Sequence, residues 1–178
     1  MSVTIRHEDG AHDRNVGSFA RLVLAAVLLP VACQSPPAAT RTELTAYLER
    51  IRSWAPVEAE TARTIERILR TEFVDEAEIR RQIADSRPRL LTHLERVRAY
   101  SPHADTIQRI HERYVTAWQN LLAGYDLIEE GFASRDYAKL ARGREAMVAW
   151  RDTLVGVAAA LRDLRQRLTP DGEGVTES

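Results

Sequence analysis

Three histidines, His93, His103 and His111, are the side chains of this chain best fitted to bind a metal or carry a proton. His103 and His111, with Asp105 and Glu112 close by in sequence, would offer nitrogen and oxygen ligands for zinc or copper. Their eight-residue spacing works against sharing one ion: on a helix it separates the imidazoles by two turns, about 12 Å. No His-x-x-x-His or Glu-x-x-His pair occurs, so the di-iron pattern of helical bundles is missing. No Cys-x-x-Cys-His is present for haem attachment, and an axial pair would have to combine His111 with Met147. No nucleophile constellation, glycine-rich phosphate loop or acidic dyad stands out, and Glu129-Glu130 reads as a solvated helix-terminal pair. No cofactor and no enzymatic activity are expected. The only candidate metal ligand is His111.

His111 belongs to a stripe, and the stripe defines the element that positions it. Ile107, His111, Tyr114, Trp118, Leu121, Tyr125, Ile128 and Phe132 recur in alternating steps of four and three, the period of one helix face. On such a seam a hydrogen-bonded core histidine is the expected role of His111, while His103, in the first turn, is expected to be exposed. Ser101 followed by Pro102 reads as the start of this helix, which runs to Glu130 and ends at Gly131.

Three further helices surround it. Thr40 and Glu43 form a capping-box pair ahead of a helix of about 41–72, with Leu44, Leu48, Ile51, Ala55, Ala62, Ile65 and Leu69 as its apolar stripe. Pro56 should kink or briefly break it. Asp75 and Glu78 repeat the capping pattern for a helix of about 76–100, with a second kink or restart at Pro88. Ser134 or Asp136 opens a fourth helix carrying Leu140, Met147, Trp150 or Arg151, Leu154, Val157 or Ala158, Leu161, Leu164 or Arg165 and Leu168. The fold class is therefore all-α, an antiparallel up-down four-helix bundle over 41–168 with proline kinks, followed by a disordered tail at 169–178. Trp54, Tyr100, Tyr114, Trp118, Tyr125 and Trp150 should pack in its core or line a pocket between helices.

The string from Leu48 to Pro56 returns as Leu94 to Pro102, and Arg63, Glu66 and Arg67 match Arg109, Glu112 and Arg113 at the same 46-residue offset. This suggests a duplicated helical unit, although Leu, Glu and Arg are common throughout the chain.

The remaining reactive side chain is Cys33, the only cysteine, so no intramolecular disulfide can form. The ten residues before Ala32, from Leu22 to Val31, form an uninterrupted apolar run preceded by Arg21, and Pro30 breaks any helix near its end. Ten residues is half of what a membrane span needs but suits the hydrophobic region of a signal peptide. Leu28-Leu29-Pro30-Val31-Ala32-Cys33 resembles the lipobox of bacterial lipoproteins, although Pro30 stands where that pattern usually has leucine. The resemblance implies a diacylglyceryl group on the Cys33 thiol and cleavage just before it. Residues 1–32 would then be a signal peptide and 33–40 a flexible tether. Glu8, Asp9 and Asp13 are out of place in a positively charged leader, so translation is expected to begin at Val16. His7 and His12 fall in or before that leader.

With 25 basic and 26 acidic residues the formal charge is −1, and the arginines are spread over the whole sequence, so no nucleic-acid partner is expected. Residues 101–136 also resemble a pattern in uncharacterised exported bacterial proteins, a proline opening a helix, then His111, Tyr114 and Ala117, then a turn before an aspartate. That resemblance implies only a helical bundle. The expected function is an envelope-anchored lipoprotein, its domain facing the periplasm or the exterior, which contacts the membrane through lipidated Cys33 and binds an envelope protein or serves structurally. The alternative is a carrier of a small ligand or metal in the bundle interior near His111.

Overall fold

A computed structural model describes residues 37–71 and 75–169. The chain divides into two units, Met1–Ala32 and Cys33–Ser178, and the described residues belong to the second. The leader, Val16, Cys33, residues 34–36 and the tail from Pro170 onward lie outside them.

Four helices account for the described residues: α1 (Pro37–Arg70), α2 (Glu76–Arg98), α3 (Asp105–Ser134) and α4 (Tyr137–Leu168). The closest backbone packing is of α1 on α2 and α4 and of α3 on α2 and α4, which closes a four-membered ring, and side chains of α1 and α3 meet across its middle. Cross-helix contacts give the directions. Glu60 and Trp54 of α1 meet Arg89 and His93 of α2 in reverse order. Arg144, early in α4, donates to the carbonyls of Leu69 and Thr71 at the end of α1. The bundle is antiparallel, so the start of α1, the α2–α3 turn and the end of α4 share one end. No described helix is long and apolar enough to cross a membrane.

The expected α3 seam is buried at all eight positions, because steps of four and three keep those side chains on one face. On α4 the ambiguous pairs resolve to Trp150, Val157 and Leu164, with Arg151, Ala158 and Arg165 exposed. α1 departs from expectation. Ala55 and Ala62 are exposed, and the buried positions are Leu44, Tyr47, Trp54, Thr61, Thr64, Ile65 and Ile68. Larger rings gain more from burial than alanine does, and they rotate the helix to suit. Neither Pro56 nor Pro88 breaks its helix. Both are exposed, so the carbonyl four residues earlier in each case, on exposed Arg52 and Ala84, keeps access to water.

Helix ends show where long-range contacts outweigh local signals. α1 begins at Pro37, so the last four residues of the expected tether are helical and Thr40 lies inside the first turn. Glu43 is freed from its expected local cap. Its carboxylate instead accepts from the backbone N–H groups of His103 and Ala104 (2.8 Å for Ala104), at the start of α3. That start is three residues past the expected Ser101-Pro102 site, and its N-cap residue, Ala104, offers no side-chain acceptor. A distant carboxylate does the work of the missing cap. Asp75 caps α2 as expected, through Glu78 N, and of the two candidates for α4 it is Asp136 that caps, through Ala138 N and Lys139 N, while Ser134 closes α3.

Gly131 does not end α3; the helix continues to Ser134. A Cβ at Gly131 would lie 2.7 Å from Leu140 Cδ2, and one at Gly143 would lie 2.7 Å from the Gly124 carbonyl oxygen, so these glycines let α3 and α4 approach closely. The helix ends instead at Arg135, at φ 55°, where Asp136 N donates to Gly131 O (2.8 Å) and Arg135 N to Phe132 O (3.4 Å). A side chain is disfavoured in that left-handed conformation. Arg135→Gly is expected to stabilise the bundle by about 1 kcal/mol, read as a higher urea midpoint with an unchanged slope.

The 46-residue echo occupies different local structures. Its first copy lies wholly inside α1, whereas its second runs off the end of α2 into the turn at Ser101 and Pro102.

Candidate functional site

The polar side chains of the interior gather where α1, α2 and α3 meet. Tyr47, Trp54 and Glu58 lie on one face of α1, seven and four residues apart. Across from them stand His93 and Tyr100 at the end of α2, and His111, Tyr114 and Trp118 on α3. Trp54 stacks on Tyr114 (centroids 5.5 Å apart, 16° between planes), and His93 sits edge-on to Trp118 at 4.3 Å. Trp118 continues the chain of rings to Trp150 of α4 at 5.1 Å.

Two hydrogen-bonded strings run through these rings. Tyr114 donates its hydroxyl proton to the Glu58 carboxylate. Its oxygen is then free to accept from His93 Nε2 at 3.3 Å, which assigns the proton of neutral His93 to Nε2. In the second string the Tyr47 hydroxyl lies 3.2 Å from His111 Nδ1. Which of the two donates follows from the His111 tautomer, and the carbonyls of Val97 and Tyr100 also lie beside this ring.

Burial sets the protonation of both strings. It pushes His93 down to about 4, helped by the nearby Arg96 charge. It also lowers His111, opposed by the carbonyls of Val97 and Tyr100 and by Glu112. Burial raises Glu58 above the usual carboxylate range, with the Tyr114 hydrogen bond partly opposing it. Tyr47 and Tyr114 are raised well above an ordinary phenol, first by burial and then by neighbouring groups including Glu58. At neutral pH the rings are therefore uncharged, and Glu58 is the carboxylate hydrogen-bonded to them through Tyr114.

Of the residues singled out in the sequence, His111 is in the core as expected and 5% exposed. His103 is exposed and faces Glu43, so the two are not brought together. Met147 is buried on α4, while the rings around His111 come from Tyr47, Trp54 and Tyr100. Among the described residues no group of three His, Cys, Asp or Glu side chains could hold a metal. Glu129 pairs with Arg87 and Glu130 with Lys139. Cys33 lies outside the described residues.

Sequence reasoning missed Tyr47, Glu58 and the role of His93. The signal was available in the spacing Tyr47, Trp54, Glu58, which continues the α1 seam. It was hidden because Glu58 looks like any surface glutamate until Tyr114 is set against it.

Two larger hollows open outward at the end of the bundle where α1 begins. One, of about 330 Å³, lies beside the α2–α3 turn and is lined by Tyr100, Gln108, His111 and Glu112 among others. The other, of about 310 Å³, lies between the start of α1 and the end of α4. A third hollow, between α1 and α2, holds about 30 Å³, room for roughly one water.

No family model, curated protein or solved structure matches this chain. Its function has to be argued from its own residues.

Proposed function

We propose that this chain is a lipoprotein of the bacterial cell envelope, held on the membrane by lipid on Cys33, whose bundle works through its outer surface as a protein-binding or structural module. The observation that carries the reading is the segment ending Val31-Ala32-Cys33, an apolar run too short to span a bilayer followed at once by a lone cysteine. The start of α1 adds to it. Only Gln34, Ser35 and Pro36 separate Cys33 from the first helical residue, Pro37. From Cys33 to Pro37 an extended chain reaches at most about 14 Å. A bundle anchored this way stands close to the lipid surface with its α1-start end toward it.

The packed interior favours an outward-facing role. Where a carrier would hold its cargo, Trp54 stacks on Tyr114 and Trp118 packs edge-on against Tyr114 and Trp150, and the hollow between α1 and α2 is water-sized. One observation speaks for the carrier alternative, the His111 ring beside the cleft at the α2–α3 turn.

The test is the mature N-terminus. The expected product begins at Cys33 with a mass increased by acyl chains, and it partitions with membranes until detergent is added. Cys33→Ser is expected to leave an unprocessed or unlipidated chain that no longer partitions with membranes through an acyl group. Recovery of mature protein with an unmodified Cys33 thiol would sink the reading.

A further inference from the structure

The hollow between α1 and α4 is a basic cleft on an apolar floor. Arg41 and Arg52 of α1 and Arg165 of α4 rim it, and Leu44, Leu48 and Leu168 lie beneath them. Leu44 is buried, and the other two leucines are half-buried. Among the described residues the guanidinium groups of these three arginines are held by no carboxylate, so they are available to an incoming anion. Glu49 is the single acidic side chain on the rim, so three positive charges face one negative.

The chemistry of this arrangement matches one kind of occupant. Guanidinium groups present planar forks of donors that fit phosphate oxygens two at a time. The leucines beneath offer apolar surface to whatever carries the phosphate. An inorganic anion would use the arginines and leave the floor uncovered, whereas a phospholipid uses both.

Position adds the second argument. Arg41 lies four residues beyond Pro37 and eight beyond Cys33. The cleft runs along the α1–α4 face from the anchored end, and a tether with a reach of about 14 Å lets that face lean onto the leaflet. We infer that this cleft takes the phosphate headgroup of an anionic phospholipid in the membrane that carries the anchor. The inference rests on the lipid-anchor reading for its biological setting. It makes the anchor one of two signals, acyl chains plus a basic surface, and it sets which face of the bundle is turned to the membrane and which faces remain for partners.

The test separates the cleft from the anchor. Residues 33–178 form one unit that holds the whole described core, so the protein from position 33 with Cys33→Ser keeps its fold and carries no acyl chain. It is sedimented with vesicles of phosphatidylcholine alone or with added phosphatidylglycerol. Binding is expected to be at least about tenfold stronger to the anionic vesicles and to fall by a similar factor in Arg41→Gln/Arg52→Gln/Arg165→Gln. A control with the same loss of charge, Arg63→Gln/Arg109→Gln/Arg142→Gln, is expected to keep most of the binding, with unchanged helical circular dichroism in both.

Equal binding to both vesicles, or equal loss in the two triple variants, overturns the proposal. So does abolition of binding by inorganic phosphate at constant ionic strength, which would make the cleft a site for the free anion. Asp171, Glu173 and Glu177 follow directly on the end of α4. If vesicles bind only after 171–178 are deleted, the tail is the occupant and the proposal fails. An unmodified Cys33 in the mature chain would remove the anchor while leaving these vesicle results standing, so the two failures are distinguishable.

Discussion

Trp118→Ala is expected to lower the free energy of unfolding by about 3–5 kcal/mol, a large part of the about 5–15 kcal/mol that holds a domain of this size together. Trp118 is fully buried, and its ring lies against His93 of α2, Tyr114 of α3 and Trp150 of α4. It is the side chain through which the polar site and the tight α3–α4 pair share one core. Removing it leaves a space lined by rings that are themselves wedged in place, so little of the cavity can close. Trp118→Phe separates the lost ring from the lost donor. The indole N–H points toward the Tyr114 hydroxyl without reaching full hydrogen-bonding geometry, and a poorly satisfied buried donor costs up to about 1–3 kcal/mol. Phenylalanine gives up some volume and that penalty together, so its expected stability is within about 1 kcal/mol of the parent. Urea unfolding followed by circular dichroism measures both. A loss of no more than about 1 kcal/mol in Trp118→Ala would mean that the rings around it are not what ties α2 to the other two helices.

The bundle was legible in the sequence wherever a helix face is uniformly apolar. On α3, eight side chains in steps of four and three are buried as read, because α3 packs against neighbours on two sides and its seam tolerates nothing polar but His111. α1 was read less well, since its inner face includes Thr61, Thr64 and the half-buried Glu58, which hydropathy alone assigns to water. Errors at helix ends have one cause. Ser101-Pro102 and Gly131 carry strong local signals, but Glu43 supplies a cap from sixty residues away and Gly131 is used for the approach of α4. The site failed to show for the same reason. Tyr47, Glu58, His93 and Tyr114 acquire their chemistry only from one another, across three helices, and no local spacing encodes that.

That mutual dependence predicts how the bundle responds to acid. Folded His93 is held down at about 4, against 6.5 for an unburied histidine. Between these values the unfolded chain binds a proton that the folded one refuses, so stability falls as pH falls. The His93 contribution is complete above pH 6.5 and is lost by about pH 4. At about 1.4 kcal/mol for each tenfold change in proton affinity, the loss is of order 3 kcal/mol. His111, also lowered by burial, acts in the same direction. Glu58 opposes them: its carboxyl is raised, so the folded state takes up a proton before the unfolded chain does, and acid relieves the burial of its charge. His93→Gln keeps an N–H for the Tyr114 oxygen but cannot titrate, so it is expected to flatten the acid limb of a stability profile measured by urea unfolding from neutral pH to about pH 4. Glu58→Gln removes the opposing contribution and is expected to steepen it. Parallel profiles for the parent and His93→Gln would show that His93 is not held neutral by the fold, and the string from His93 through Tyr114 to Glu58 would lose its electrostatic basis.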